Sequence, residues 1–183
     1  MKRLAVLTSI AALAVAGMAT TASAELKPGA KAPDFTAPAY LAGQPFTYKL
    51  ADALKKGPVV VYFCPAAHTS FGNLEAHLFS DAIDQFKARH ATVIGVTAGK
   101  TSELADFSKE TEHCGGKFPV AADEGAKIAK SYDSPLKMAG ITAPVDLSAR
   151  TSYVIAPDGT VISAYNNMSA DHHVNQTITA LKA

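Results

Sequence analysis

The chain has 183 residues, with 17 lysines and arginines against 16 aspartates and glutamates and a net charge of +1. That balance, with no basic cluster interleaved with aromatic residues, excludes a nucleic-acid surface as the partner. No low-complexity tract or internal repeat interrupts it, so a single domain with a full core is expected.

The first segment reads as an address rather than as structure. Lys2 and Arg3 precede an uncharged apolar run, Leu4 to Met18, and Ala22-Ser23-Ala24 supplies the small residues a signal peptidase needs. The run has about 15 residues, short of the roughly 20 a membrane-spanning helix requires, so residues 1–24 are expected to be a cleaved secretory signal peptide. Residues 25–183 would form the mature domain, with no membrane span and a net charge shifted from +1 to −1 by the loss of Lys2 and Arg3. Export implies an oxidising compartment, the periplasm of a bacterium, in which a disulfide would persist.

In chain order, Gly29 to Phe35 is an irregular lead-in. Phe35-Thr36 and Phe46-Thr47-Tyr48 flank Ala42-Gly43-Gln44, the signature of a β-hairpin. A short helical turn over 51–56 stops at Gly57-Pro58. Val59 to Phe63 is a β-branched and aromatic run that reads as a strand buried on both faces. A loop from Cys64 to Phe71 leads to a helix carrying Leu74, Leu78, Ala82 and Phe86 at i+4 spacing. Thr92 to Thr97 is a second buried strand, and Ser102 is placed to cap a helix running to about Thr111. Phe118 to Ala121 reads as a strand and Glu124 to Tyr132 as a helix, and Met138 falls in a loop between Pro135 and Pro144. Ser152 to Ala156 and Val161 to Tyr165 flank Pro157-Asp158-Gly159, a second hairpin. Ser169 would cap a last helix carrying Val174, Ile178 and Leu181. The order is hairpin, then βαβαβα, then hairpin and helix. It calls for an α/β fold of the thioredoxin-like kind, a mixed central sheet with helices on both faces and an N-terminal β-hairpin.

Five segments in the same order resemble the peroxiredoxin family, in its bacterioferritin-comigratory branch. They are Ala32 to Thr36 (APDFT), Gly57 to Pro65 (GPVVVYFCP), Thr69 to Ala76 (TSFGNLEA), Phe118-Pro119-Val120 with Ala122-Asp123, and Arg150 to Gly159 (RTSYVIAPDG). The resemblance implies thiol-dependent reduction of hydrogen peroxide and organic hydroperoxides, electrons from a thioredoxin-like reductant, and no cofactor. It also implies a site in which a proline shields the nucleophile, a threonine four residues on binds peroxide, a cysteine three beyond that attacks it, and an arginine stabilises the charge. Pro65, Thr69 and Arg150 match these positions, but the cysteine position holds Gly72, and Glu75 and Ala76 keep the register beyond it.

Two readings follow. In one, Cys64, the single thiol near the motif, carries the chemistry of a thiol oxidoreductase; in the other, Cys64 is a small buried residue closing its strand. In the second, the protein is an inactive homologue whose Thr69, helix N–H groups near Gly72 and Asn73, and Arg150 guanidinium bind a small anion or a partner. The alternative for Thr69 and Arg150 is a purely structural hydrogen-bonding role. An Arg150 pointing into an open cleft would favour ligand binding, and an accessible Cys64 of lowered pKa would favour catalysis. Cys114 precedes the Phe118 strand and is expected at the opposite rim of the sheet from Cys64, too far for a disulfide with it; exposed beside Gly115-Gly116, it could instead pair between chains or with a small thiol. The six histidines show no H-x3-H spacing, and no metal is expected; His68, His77 and Cys64 form the one weak candidate set, with His113 beside Cys114 and His172-His173 adjacent. The assembly is expected to be a monomer or a homodimer.

Overall fold

A computed structural model describes residues 25–136 and 146–182. The expected leader (1–24) and Met138 lie outside the described residues.

The strands are β1 (Thr36–Leu41), β2 (Gln44–Lys49), β3 (Val59–Cys64), β4 (Thr92–Thr97), β5 (Val120–Ala122), β6 (Thr151–Ile155) and β7 (Val161–Asn166). They form one sheet in the order β2-β1-β5-β4-β3-β6-β7. β3 pairs with β4 and β4 with β5 in parallel, whereas β3 pairs with β6 and β6 with β7 antiparallel. The mixed sheet and N-terminal hairpin are those read from the sequence. Ala42 and Gly43, with φ of 51° and 80°, make the two-residue turn between β1 and β2.

The central strand divides the core. Successive side chains of a strand point to opposite faces. Val60, Tyr62 and Cys64 therefore join one buried cluster, with Phe79, Phe86, Leu104, Phe107 and Ile178. Val59, Val61 and Phe63 join the other, with Leu50, Leu54, Ala129 and Tyr132. The first face is covered by α2 (Ser70–Asp81), α3 (Ile83–Lys87), α4 (Leu104–Lys109) and α6 (His173–Ala180). The second is covered by α1 (Leu50–Leu54) and α5 (Lys127–Ser131).

Several boundaries differ from the sequence reading, each for a local reason. The long helix starts earlier, at Ser70, because the Thr69 side chain caps it. It also breaks at Ala82, whose φ of −91° and ψ of 1° leave the helical region. The third expected helix shortens to α5 because the Asp123 carboxylate takes the N–H groups of Ile128 and Ala129, at 2.9 Å each, across a left-handed Ala126. Ser169 does not cap the last helix: its hydroxyl bonds Asp171, and α6 begins at His173 without a side-chain cap.

The largest correction concerns Cys114. It is fully buried, in the same cluster as Cys64. The segment before β5 does not run extended along the sheet. Gly115 and Gly116, at φ of 60° and 68°, fold it back so that their N–H groups meet the carbonyls of Glu110 and Ser108. Cys114 N–H in turn donates to the Phe107 carbonyl, which tucks the thiol against α4. Both cysteines are free thiols.

Candidate functional site

The motif residues meet where β3, the loop behind it and the start of α2 come together. β3 ends at Cys64, Pro65 turns the chain out, and Thr69 caps α2 by accepting the Gly72 N–H at 3.1 Å. The Thr69 hydroxyl also donates to the Ala66 carbonyl at 3.1 Å. Cys64 Sγ donates to that same carbonyl at 3.3 Å. One carbonyl oxygen thus gathers the cap and the thiol.

Gly72 faces this arrangement at close quarters. A Cβ at position 72 would lie 2.4 Å from the Ala66 oxygen, 2.9 Å from Thr69 Oγ1 and 3.0 Å from Cys64 Sγ. The loop has closed into the space a side chain would need, and the Cys64 sulfur stands at its edge. No cysteine could occupy position 72 unless the backbone at Ala66 moved.

Arg150, immediately before β6, does not open into a cleft. It is 2 % exposed, and its guanidinium Nη1 donates to Glu75 Oε2 on the second turn of α2. Burial pushes the Glu75 carboxyl up to about 8, although the Arg150 charge against it pulls the other way. Beside the pair, His173 Nδ1 lies 2.7 Å from Ser152 Oγ and 3.7 Å from Glu75 Oε1. His173 Nε2 donates to the Asn167 carbonyl at 2.9 Å, so its proton is on Nε2 and Nδ1 accepts from Ser152. Burial first, and the Arg150 charge, hold His173 down to about 4, a neutral imidazole at ordinary pH. The sequence reading missed Glu75 as a partner. Its only signal was register: Glu75 lies one helical turn beyond Gly72, on the same face.

Cys64 is 4 % exposed, and desolvation, reinforced by the Glu75 charge, pushes its thiol up to about 12. Arg150 is close enough to hydrogen-bond the sulfur and pulls it back. In this closed arrangement the sulfur is a thiol. The expected anion pocket is therefore shut: Thr69 serves the helix cap and Arg150 faces Glu75. Asn73 contributes its N–H to the Thr69 carbonyl at 2.8 Å, and with Leu74, His77 and Glu112 it lines a shallow cleft of about 250 Å³ that neither Arg150 nor Cys64 reaches. A roomier cleft of about 400 Å³ lies against β2 and α1, and none of Pro65, Thr69, Gly72 and Arg150 lines it. The histidine set His68, His77 and Cys64 is not brought together, for His77 leans to Asp81 at 3.4 Å along its own helix.

A thioredoxin-like sheet with a proline–threonine loop capping a helix opposite a buried arginine defines the peroxiredoxin class, and the comparisons agree. Residues 28–164 match the AhpC/TSA family, to which this chain belongs. The chloroplastic peroxiredoxin Q of rice (Oryza sativa subsp. japonica) is 31 % identical over 156 residues, covering 85 % of this chain and 66 % of the rice protein. That of Populus jackii is 29 % identical over 177 residues, covering 96 % and 78 %. Peroxidoxin BcpB from Mycobacterium tuberculosis superposes with a TM-score of 0.74 at 25 % identity, over 86 % of this chain and 97 % of BcpB. The chain thus spans about two thirds of the length of the rice relative. Xanthomonas campestris peroxiredoxin Q shares the fold, with a TM-score of 0.68 at 22 % identity over 79 % of this chain and 89 % of that one.

Two measurements check this geometry. Gly72→Ala would ordinarily gain about 1 kcal/mol from helix propensity. Here the clash with a backbone carbonyl makes it destabilising, by about 1–3 kcal/mol in urea unfolding, the usual scale of overpacking. Glu75 yields a pH signature. Its folded-state pKa lies near 8 and its ordinary value is 4.5, so between these the folded protein holds a proton that the unfolded chain has lost. His173 opposes this only below its ordinary value of 6.5. From pH 6.5 to 8, stability from this group therefore falls as pH rises, and Glu75→Gln flattens that part of the stability–pH curve relative to wild type.

Proposed function

We propose that this protein is an exported thiol oxidoreductase of the peroxiredoxin family whose reacting sulfur comes from Cys64, at the end of β3, instead of from the first turn of α2. The observation that carries the reading is the 3.0 Å between Cys64 Sγ and the Cβ position of residue 72. Sulfur borders the place where the family keeps it, delivered from the other side. Arg150, the Thr69 cap and the N-terminus of α2 surround it, and these are the groups that favour a thiolate.

The resting arrangement holds the thiol closed. Desolvation is the largest cause of its raised pKa and the Glu75 charge the next, so moving the 65–69 loop to admit water, with Glu75 protonated below about pH 8, leaves Arg150 acting on the sulfur. The opened thiolate attacks one peroxide oxygen. An S–O bond forms, the O–O bond breaks, and the departing oxygen leaves as water or an alcohol after taking a proton. The sulfur becomes a sulfenic acid. A thioredoxin-like dithiol then reduces it, releasing water and becoming a disulfide. Reductant and peroxide are both taken from the family. The leader sequence supports export to the periplasm, no helix among the described residues is long and apolar enough to cross a membrane, and the working unit is a monomer or homodimer.

A second reading is favoured by the burial of Cys64 and the engagement of Arg150 with Glu75: an inactive homologue that keeps the fold for a binding role. Peroxide consumption with a thioredoxin-type reductant separates the two. On the first reading the wild type consumes peroxide slowly, Cys64→Ser loses at least tenfold of that rate, and Cys114→Ser retains it. Equal rates for wild type and Cys64→Ser establish the second.

A further inference from the structure

One cluster of side chains lies outside everything described above. His68, in the loop between β3 and α2, meets Glu110 and His113, which follow α4. One potential ligand atom from each lies within 4.8 Å of the other two, and among the described residues this is the one such group. We propose that His68, Glu110 and His113 bind a first-row divalent transition ion, with zinc as the type.

Four features carry the assignment. The donor set, two imidazoles and a carboxylate, is one that zinc takes at three-ligand sites, leaving a fourth position for water. His113 is 93 % buried by its 7 % exposure, and its Nδ1 makes no aligned hydrogen bond although Glu110 Oε2 stands 2.9 Å away. A buried imidazole nitrogen beside a carboxylate but out of line with it suits two ligands turned toward a common third body. His68 is held by its other side: Nε2 lies 3.0 Å from the Glu103 carbonyl, which can only accept, so the ring keeps its lone pair on Nδ1. Finally, the rings are already in mutual contact. Phe107 stacks on His113 at 4.7 Å, and His68 stands edge-on to both, at 5.2 Å from Phe107 and 5.4 Å from His113.

An ion pair between Glu110 and His113 would account for two of the residues. It leaves unexplained why His68, at a left-handed φ of 54°, is brought within reach of both. Ligands about 2.1 Å from a tetrahedral zinc sit about 3.4 Å apart, so from within 4.8 Å the longest gap closes by at most about 1.4 Å. The exposed side chains of His68 and Glu110 can rotate to close it. The bound ion would tie the loop that follows Cys64 to the loop that carries Cys114.

Titration calorimetry of the chelator-treated protein with zinc alone tests the site, in a Cys64→Ser background so that the thiol cannot contribute. One zinc per chain is expected. His68→Asn, which tolerates the left-handed backbone, and Glu110→Gln each weaken binding at least tenfold, the scale on which even outer-shell partners act. His77→Asn leaves binding unchanged. Absence of saturable binding overturns the assignment, as does an affinity unmoved by His68→Asn and Glu110→Gln. Circular dichroism of each variant verifies that a lost site is not a lost fold.

Discussion

A polar pair with almost no access to water, the Arg150 guanidinium and the Glu75 carboxyl, anchors this end of the molecule. Arg150 gives up several kcal/mol of hydration on burial, burial keeps the proton on Glu75 up to about pH 8, and the hydrogen bond between them offsets part of the loss; removing one partner from such a buried pair typically costs about 3–5 kcal/mol. Arg150 stands just before β6, beside β3, and Glu75 on the second turn of α2. The pair therefore draws the helix onto the ends of the two central strands. Ser152 and His173 pack alongside, the imidazole kept neutral, so that α6 joins the same junction without adding a further charge.

From this clamp the geometry of the loop follows. With Glu75 held down, the face of α2 one turn earlier meets the 64–69 loop, and that face is Gly72. A helix presenting only a Cα lets the Ala66 carbonyl approach to where a side chain would begin. The same carbonyl then receives both the Thr69 hydroxyl and the Cys64 thiol. The bare Cα at position 72, the closed loop and the burial of Cys64 belong to one arrangement. The chemistry inherits its two-sided character: the groups that favour a thiolate are present, and the closure that desolvates it outweighs them.

The parts of the fold that were legible in the sequence depend on local pattern. The Val59–Phe63 run could only be a strand buried on both faces, and Ala42-Gly43 and Pro157-Asp158-Gly159 carried their turns in their composition. What could not be read depended on partners distant in sequence. Asp123 shortens α5 by taking two N–H groups that would otherwise begin the helix sooner. The glycine pair at 115 and 116 reverses a segment that, extended, would have carried Cys114 away from Cys64. At the site, the motif spacing singled out Pro65, Thr69 and Gly72 and the flanking residues singled out Arg150, and all gather at one end of the sheet. The direction of Arg150 was not in the spacing. It is set by Glu75, 75 residues earlier, whose role in the sequence was only to keep register.

The central claim is that the reactive sulfur has moved from α2 to the end of β3. The direct measurement is to treat the reduced protein with hydrogen peroxide, trap any sulfenic acid with a dione reagent and map the adduct by mass spectrometry. The account predicts an adduct at Cys64 ahead of any at Cys114, formed faster when urea below the unfolding range loosens the loop. An unmodified Cys64, or labelling at Cys114 alone, would contradict it.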